Sequence, residues 1–226
     1  MLHIDIRKKL KVKSAANELA VTADIVSDRI TAVYGSSGIG KSTLFHCIAG
    51  LTQPDRGIIS FEKESWYDDR KNICIPVQAR NIAYIFQSNN LFPHLTVAEN
   101  IRFALKPSDK NSNIRELLIK SEVEGMEQRY PDQLSGGEQQ KVAIARMLAQ
   151  KSKLALMDEP FSALDHAMRR RLYSLIRGFK EQYGLTILLA THDLQDIRSL
   201  ADQILWITED RQGVLLGKEA FFDRIR

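Results

Sequence analysis

The stretch LSGGEQ, residues 134–139, decides the fold of this chain because of the two segments that flank it. Upstream, GSSGIGKST at residues 35–43 is a complete glycine-rich phosphate-binding loop. Downstream, LALMDE at residues 154–159 is an apolar run that ends in two carboxylates. Many nucleotide hydrolases contain the outer two segments, whereas a Ser-Gly-Gly segment between them marks a single superfamily.

The residues around the phosphate-binding loop predict a strand, a tight turn and the start of a helix. Residues 30–34 (ITAVY) are β-branched and apolar, as in a short buried strand, and apolar side chains follow a helical spacing after Ser42. The backbone amides of such a loop surround phosphates, and the helix N-terminus adds a favourable dipole. We expect Lys41 to reach the β- and γ-phosphates, Ser42 to ligate Mg²⁺ and Thr43 to bond the α-phosphate.

Asp158 and Glu159 are the candidate catalytic carboxylates. A short apolar strand delivers both to its carboxyl end, which is where ligands bind in open α/β sheets. We predict that Asp158 holds Mg²⁺ and that Glu159 polarises the attacking water, because a general base must lie within hydrogen-bond reach of that water. An isolated Asp-Glu pair is commonly structural, and its place after a phosphate-binding loop favours the catalytic interpretation.

Over its whole length the chain resembles the ATP-binding cassette (ABC) ATPases, through the three segments quoted above. This resemblance implies that ATP and Mg²⁺ are the cofactors. His192 follows the apolar run TILLAT, residues 186–191, where the family has a histidine that contacts the γ-phosphate and positions the water. Gln87 ends another such run, residues 82–86 (IAYIF), and matches a family glutamine that approaches Mg²⁺ and the water while its loop touches a membrane partner.

The Ser-Gly-Gly segment predicts a second anion-binding site. Ser135 is a suitable cap for a helix that runs on through Leu148, and a capped helix start with two glycines favours a negatively charged ligand. The resemblance implies that this site closes on the ATP of a second, antiparallel copy of the chain, so that two ATP molecules lie between two chains. It also implies that residues 162–165 (SALD) lie across that interface.

The resemblance gives three sets of candidate site residues. The catalytic candidates are Glu159, His192 and Gln87. The metal candidates are Ser42, Gln87 and Asp158. The candidates for holding the nucleotide are Gly35, Ser36, Ser37, Gly38, Ile39, Gly40, Lys41, Ser42, Thr43, Ser135, Gly136, Gly137 and Glu138.

The sequence upstream of the phosphate-binding loop departs from the family pattern for adenine binding. The family commonly stacks adenine on an aromatic side chain upstream of the phosphate-binding loop, and residues 1–33 contain no Phe, Tyr or Trp. Residues 11–17 (KVKSAAN) offer only aliphatic and polar contacts. We therefore expect adenine packing to be weak or to come from elsewhere, with a reduced preference for ATP over GTP.

Composition is that of one ordinary globular domain. The chain has 226 residues, with 44% hydrophobic and 27% charged residues and a net charge of +4. No apolar run approaches the roughly 20 residues that span a bilayer, and the alternating N-terminus is no signal peptide. The two cysteines, Cys47 and Cys74, have neither metal-binding spacing nor a disulfide framework, which favours a reducing compartment.

The fold class implied by the resemblance is α/β. We expect a P-loop NTPase with a RecA-like core, an antiparallel β subdomain and an inserted helical subdomain. A single ABC ATPase domain should cover residues 1–226, with the ATP-binding core in residues 1–87 and 151–226 and the helical subdomain in residues 88–150. The C-terminal regulatory domain that several importer ATPases carry is expected to be missing.

Three features narrow the choice within the superfamily. The sequence shows no fused membrane segment, a single cassette and no long heptad insertion, which favours a stand-alone subunit that powers a separate membrane channel. The implied partners are a second copy of the chain, integral membrane permease subunits and, indirectly, a periplasmic or surface solute-binding protein, with no nucleic acid. The implied location is peripheral, on the cytoplasmic face of the inner (plasma) membrane.

Residues 90–100 (NLFPHLTVAEN) resemble bacterial importer ATPases for oxyanions and small nutrients. Within that group the N-terminal third is most similar to molybdate importers, through residues 30–35 and 73–87. Thiamine importers come second, through residues 89–92 and 160–165, and sulfate or ferric-iron importers are further alternatives. A soluble, non-transport ABC ATPase is the alternative of another class, and no basic stripe with interleaved aromatic residues supports it.

Overall fold

A computed structural model describes residues 1–10, 17–88, 91–106, 114–162 and 164–225. Besides a 3-10 helix over Pro131–Gln133, the described residues form eleven strands and seven α-helices. These are β1 Leu2–Lys9, β2 Glu18–Ile25, β3 Ile30–Tyr34, α1 Lys41–Ala49, β4 Arg56–Phe61, β5 Glu64–Asp68, β6 Ile73–Cys74, β7 Ile82–Ile85, α2 Val97–Phe103, α3 Arg115–Lys120, α4 Gly136–Ala149, β8 Leu154–Asp158, α5 His166–Tyr183, β9 Thr186–Thr191, α6 Leu194–Leu200, β10 Gln203–Ile207, β11 Gln212–Gly217 and α7 Lys218–Arg224.

The strands form one sheet in the order β6-β5-β4-β1-β2-β11-β10-β3-β9-β8-β7. The half from β10 to β7 is parallel, whereas β1, β2, β4, β5 and β6 pair antiparallel. A short parallel pairing of β11 with β2 joins the two halves. Because parallel strands end at the same edge of a sheet, the segments that follow β3, β7, β8 and β9 meet there.

Helix α1 packs between the two halves of the sheet. Its apolar face, including Leu44, Phe45 and Ile48, shares one buried cluster with Leu2 of β1 and Leu156 of β8. The helix directly follows the phosphate-binding loop, so this packing fixes the loop at the carboxyl edge of the parallel strands.

The other face of the parallel strands is covered by α4 and α5. Ile144 of α4 and Ile176 of α5 share a buried cluster with Ile187 of β9. A separate cluster joins α2, α3 and α4, and Leu134, the first residue of the LSGGEQ stretch, belongs to it. The stretch is thus anchored in the helical layer and not in the layer of α1.

The predicted α/β fold class is confirmed, with the expected parallel core, antiparallel β region and helical region. The strand before the phosphate-binding loop and the helix after it were both predicted correctly, since β3 ends at Tyr34 and α1 begins at Lys41. The sequence offers Asn113 as a cap for the helix that follows it. Residue 113 lies outside the described residues, and α3 begins at Arg115. No helix among the described residues is long and apolar enough to cross a bilayer. The subdomain boundaries stay predictions.

Candidate functional site

The phosphate-binding loop depends on glycine at two positions. At Gly35, directly after β3, an added Cβ would lie 2.9 Å from the Ile39 side chain and 3.0 Å from the Ile207 carbonyl oxygen. At Gly40, the N-cap of α1, φ is +125°, which an L side chain rarely adopts. The chain can therefore turn tightly into α1, and backbone amides at the start of the helix are available to a phosphate.

Lys41 is buried, with 4% of its surface exposed, and folds back over the loop. Its ammonium donates to the carbonyl oxygens of Gly35 at 2.9 Å and Ser36 at 3.1 Å. The same Nζ lies 3.2 Å from Glu159 Oε1. The ammonium of Lys41 is therefore buried with two carbonyl oxygens and one carboxylate as its partners. Such a cation still attracts further anionic oxygens strongly, because little water is present to screen its charge.

Glu159 has an unusual backbone conformation, with φ at +46°. Its amide donates to the Ala190 carbonyl oxygen of β9 at 3.0 Å, which holds the residue in this conformation. The side chain, 15% exposed, places Oε1 3.3 Å from His192 Nδ1. Glu159 is therefore within contact distance of both Lys41 and His192, although the three residues come from separate segments.

An open cavity of about 330 Å³ lies over the loop. It brings Gln87 together with the phosphate-binding residues and Glu159, and Leu10 adds an apolar wall. Its lining consists of Leu10, Ser37, Gly38, Gly40, Lys41, Ser42, Thr43, Gln87 and Glu159. Residues 11–16, most of the stretch that offers adenine only aliphatic and polar contacts, lie outside the described residues.

The Ser-Gly-Gly segment begins α4, as predicted, with a complete capping box. Ser135 Oγ accepts from the Glu138 amide at 3.3 Å, and Glu138 Oε2 accepts from the Ser135 amide at 2.7 Å. Hydrogen bonds from the Ser135 backbone and hydroxyl lower the pKa of the Glu138 carboxyl. None of Ser135, Gly136, Gly137 and Glu138 is among the described residues that line the cavity over the phosphate-binding loop.

Comparison with known proteins gives the family directly. The family described as "ABC transporter" matches residues 19–162, which is more than half of the chain. This chain belongs to the ABC transporter family.

The thiamine import ATP-binding protein ThiQ of Jannaschia sp. (strain CCS1) is 38% identical, over 93% of this ABC chain and 90% of ThiQ. The molybdenum import ATP-binding protein ModC of Haemophilus ducreyi is also 38% identical, over 93% of this chain and 59% of ModC. The dimeric structure of MJ0796, a bacterial ABC transporter cassette, superposes with a TM-score of 0.77 and 28% identity, over 94% of this chain and 96% of that one.

These relationships establish the chemistry at the ABC site as ATP binding and hydrolysis. A second MJ0796 structure is a dimeric post-hydrolysis state bound to ADP and Pi, at 27% identity and a TM-score of 0.78. The chain spans most of ThiQ but only about three-fifths (59%) of ModC.

The residues proposed for Mg²⁺ fit a hard cation that prefers oxygen ligands. Asp158 is 5% exposed, and its Oδ1 has no hydrogen-bond partner among the described residues. Burial raises the pKa of this carboxyl, and the Ser42 hydroxyl acts in the opposite direction. An unpaired buried carboxylate oxygen costs free energy, and a metal ion beside Ser42 and Asp158 would remove that cost.

One group of residues in the ABC site was missed by the sequence interpretation. Arg169 of α5 donates to the Leu164 carbonyl oxygen at 3.2 Å and to Asp193 Oδ2 at 2.5 Å. Burial alone would raise the pKa of Asp193, but hydrogen bonds from the Gln195 amide and from Arg169 outweigh it and lower this pKa. Arg169 therefore ties the segment after Glu159 to the residue that follows His192.

Asp196, which is buried, extends this group. It accepts hydrogen bonds from Tyr173 and Thr191, both at 2.5 Å, and the Tyr173 ring packs edge-on against Phe161 at 5.0 Å between centroids. No short motif in the sequence connects positions so far apart. The available signal was the acidic side chain at 193, directly after the predicted histidine.

Proposed function

We propose that this chain is the ATP-binding subunit of a bacterial importer, in which two copies enclose two ATP molecules and drive separate permease subunits. The observation that carries the proposal is an incomplete site. The phosphate-binding loop, Gln87 and Glu159 line one open cavity, whereas the anion-binding start of α4 at Ser135 is not part of that lining. A second copy would supply the missing Ser135–Glu138 segment.

The chain's own groups have separate roles in hydrolysis. The amides of residues 38–43 and the Lys41 ammonium bind the β- and γ-phosphates. His192 contacts the γ-phosphate, and Gln87 orients the water. Glu159 accepts a proton as the water oxygen attacks the γ-phosphorus and the bond to the β-phosphate oxygen breaks, which leaves ADP and inorganic phosphate. Mg²⁺, held by Ser42 and Asp158 with Gln87 nearby, would neutralise developing phosphate charge.

ATP and ADP should bias the pair of chains differently. Contacts from both copies to the γ-phosphate favour the closed dimer, and their loss after hydrolysis favours opening. This difference in affinity between two states is the physical basis of a transport stroke.

A groove next to Gln87 suits the membrane partner. An open groove of about 350 Å³ is lined in part by the aromatic residues Phe86, Phe92 and Phe103. The Phe103 side chain is 66% exposed, and the Arg146 guanidinium lies 5.6 Å from the Phe92 ring centroid. An exposed apolar surface bordered by charge is suited to a short amphipathic helix of a permease subunit. This partner would hold the chain at the cytoplasmic face of the inner membrane.

For the transported solute we propose molybdate, with thiamine, sulfate and ferric iron as the alternatives. The similarity to ModC supports molybdate, and the equal identity to ThiQ supports thiamine. Because the solute would be bound by a separate binding protein and the permease, the test is functional. ATPase activity of the reconstituted complex should rise with a binding protein loaded with molybdate, and not with one loaded with thiamine or sulfate.

Affinity purification from detergent-solubilised membranes tests the transport role itself. Integral membrane subunits should co-purify with the wild-type chain, and Phe103→Glu should lose them while retaining ATP affinity. Ile119→Glu is a matched control, because Ile119 is another exposed apolar residue (49%) and is not part of the described lining of the groove. Recovery of nucleic acid or only cytosolic proteins would instead favour the soluble, non-transport class.

A further inference from the structure

Arg211 occupies a turn position that is ordinarily suited to glycine. It closes the connection between β10 and β11, where its amide donates to the Thr208 carbonyl oxygen at 2.8 Å and its φ is +63°. A turn followed by one left-handed residue is a common hairpin connection, and glycine adopts that conformation without strain. The arginine carbonyl also accepts from the Ala20 amide of β2 at 3.0 Å. A residue other than glycine is strained in this backbone conformation, and the strain has to be offset by other interactions.

The compensating contacts lead to the back of the phosphate-binding loop. Arg211 is only 8% exposed. Its guanidinium donates to the Ile39 carbonyl oxygen at 2.6 Å and to the Gly38 carbonyl oxygen at 3.2 Å. A buried arginine is uncommon unless its charge is matched by acceptors, and here two of the acceptors are peptide oxygens of the nucleotide-binding loop.

These two peptide groups bear on anion binding through their other ends. The peptide whose oxygen belongs to Gly38 carries the Ile39 amide, which donates to the Ser36 carbonyl oxygen at 3.3 Å and so holds the turn of the loop. The peptide whose oxygen belongs to Ile39 carries the Gly40 amide, at the N-cap of α1. A charged donor on a carbonyl oxygen polarises the whole peptide group, which makes its N–H a stronger donor. The contacts also fix the orientation of both peptides immediately before α1, so less order has to be gained when a phosphate binds.

We propose that Arg211 is a positioning residue for phosphate binding, which raises affinity for ATP and ADP through the peptides of Gly38–Gly40 without touching the nucleotide. The inference rests on the proposed phosphate-binding role of residues 35–43. It adds to that site a cationic support from a strand connection about 170 residues further along the chain, since the guanidinium contact spans 172 positions.

Arg211→Gly separates this role from a purely structural one, because glycine suits the backbone at φ +63° and the fold should tolerate it. Loss of two charge-assisted hydrogen bonds to the loop should raise Kd for ATP and ADP, and KM for ATP, by roughly tenfold. The kcat should stay within about twofold, because no group at the reacting phosphate has changed. Calorimetry, steady-state kinetics and thermal unfolding would be measured on the same preparations.

Three further variants make the outcome decisive. Arg211→Lys keeps a cation within reach and should recover part of the affinity. Lys63→Gly removes another basic residue with positive φ (+76°), which differs from Arg211 in being exposed and lies in the turn between β4 and β5; it should leave both Kd values unchanged. Lys41→Ala tests the underlying site on its own.

The possible results are distinct. Weaker binding in Arg211→Gly, with kcat kept and partial recovery in Arg211→Lys, supports the inference. A lower unfolding temperature with unchanged Kd would mean that the contacts of Arg211 with the loop only stabilise the fold, and this result would overturn the inference. Normal affinity in Lys41→Ala would overturn the phosphate-loop assignment itself, and the inference with it.

Discussion

Glu159 Oε1 lies 3.2 Å from Lys41 Nζ, so the proposed general base is paired with the proposed phosphate-binding cation. Both side chains are largely buried, which strengthens their attraction relative to a surface pair. An arriving γ-phosphate would compete with Glu159 for Lys41. Glu159 would then be released toward the attacking water only once ATP is in place.

Glu159→Gln should retain ATP binding and abolish turnover. The amide is a far weaker proton acceptor than the carboxylate, so kcat should fall by about 100-fold or more. ATP affinity should be equal or higher, because the ionic competitor for Lys41 is gone. ATP-dependent dimers should accumulate on a sizing column, as hydrolysis no longer opens them. Glu62→Gln, which alters an exposed pair with Lys153, is the control. Near wild-type hydrolysis by Glu159→Gln would exclude it as the base.

Lys41→Ala should weaken ATP binding strongly. A charge-assisted contact is worth roughly 1.5–3 kcal/mol, which corresponds to a rise in Kd of about 10- to 150-fold. Isothermal calorimetry measures this directly. Lys153→Ala is the matched control, since that lysine is 66% exposed and pairs only with Glu62 among the ion pairs described. Equal affinities for the wild type and Lys41→Ala would contradict the assignment.

The sequence predicted the parts of this site that are formed by contiguous residues. The loop at residues 35–43 is fixed by local backbone requirements, and the start of α4 is fixed by a capping box that joins Ser135 to Glu138. Each of these two parts is formed by consecutive residues, so its geometry follows from local rules. Strand and helix positions around them were predictable for the same reason.

Contacts between distant segments were not predictable in this way. Three such contacts depend on how separate helices and strands pack together. They are the Lys41–Glu159 pair, the Arg169 contact with Asp193 and the short pairing of β11 with β2. Each involves few residues and polar or generic side chains, which leave no periodic pattern in the sequence. The sequence also does not predict the left-handed backbone conformation at Glu159, because the residue there is not a glycine.

Arg169→Met should lower kcat more than it alters ATP affinity. The guanidinium ties Asp193 to the Leu164 carbonyl, and its loss would let His192 shift relative to Glu159. Small misplacement of catalytic groups costs roughly 10- to 100-fold in rate. Steady-state kinetics and calorimetry would separate kcat from Kd, with the neighbouring exposed Arg171→Met as the control. A change in Kd with unchanged kcat would contradict a positioning role.

GTP should compete with ATP unusually well. Residues 1–33 contain no Phe, Tyr or Trp, and Leu10 is the apolar residue that lines the described cavity beside the loop. Because an aliphatic contact discriminates poorly between adenine and guanine, we expect the Kd values for ATP and GTP to agree within about tenfold. Displacement of a fluorescent nucleotide would measure both. A preference for ATP well beyond that range would show that an aromatic residue elsewhere, or one from the second copy, stacks on adenine.

Ser135→Arg should leave nucleotide binding to one chain intact and prevent closure of two. The serine hydroxyl caps α4 and belongs to a segment outside the phosphate cavity, so Kd should remain near wild type. A bulky cation at the start of α4 should block approach of a second copy, and ATPase activity should collapse. Ser135→Ala is the control for the cap alone, with an expected loss of about 0.5–2 kcal/mol in stability.

Mixing two inactive variants tests whether the two copies share their sites. Chains with Ser135→Arg and chains with Lys41→Ala can together form one site that has an intact loop and an intact α4 start, and one site in which both are altered. Partial ATPase recovery in the mixture, absent from either variant alone, is the result expected for shared sites. A covalently linked pair with one wild-type half shows whether turnover requires two intact sites at once. If that linked pair hydrolyses ATP while the mixture stays inactive at every ratio, then each chain acts alone and the two-copy proposal is wrong.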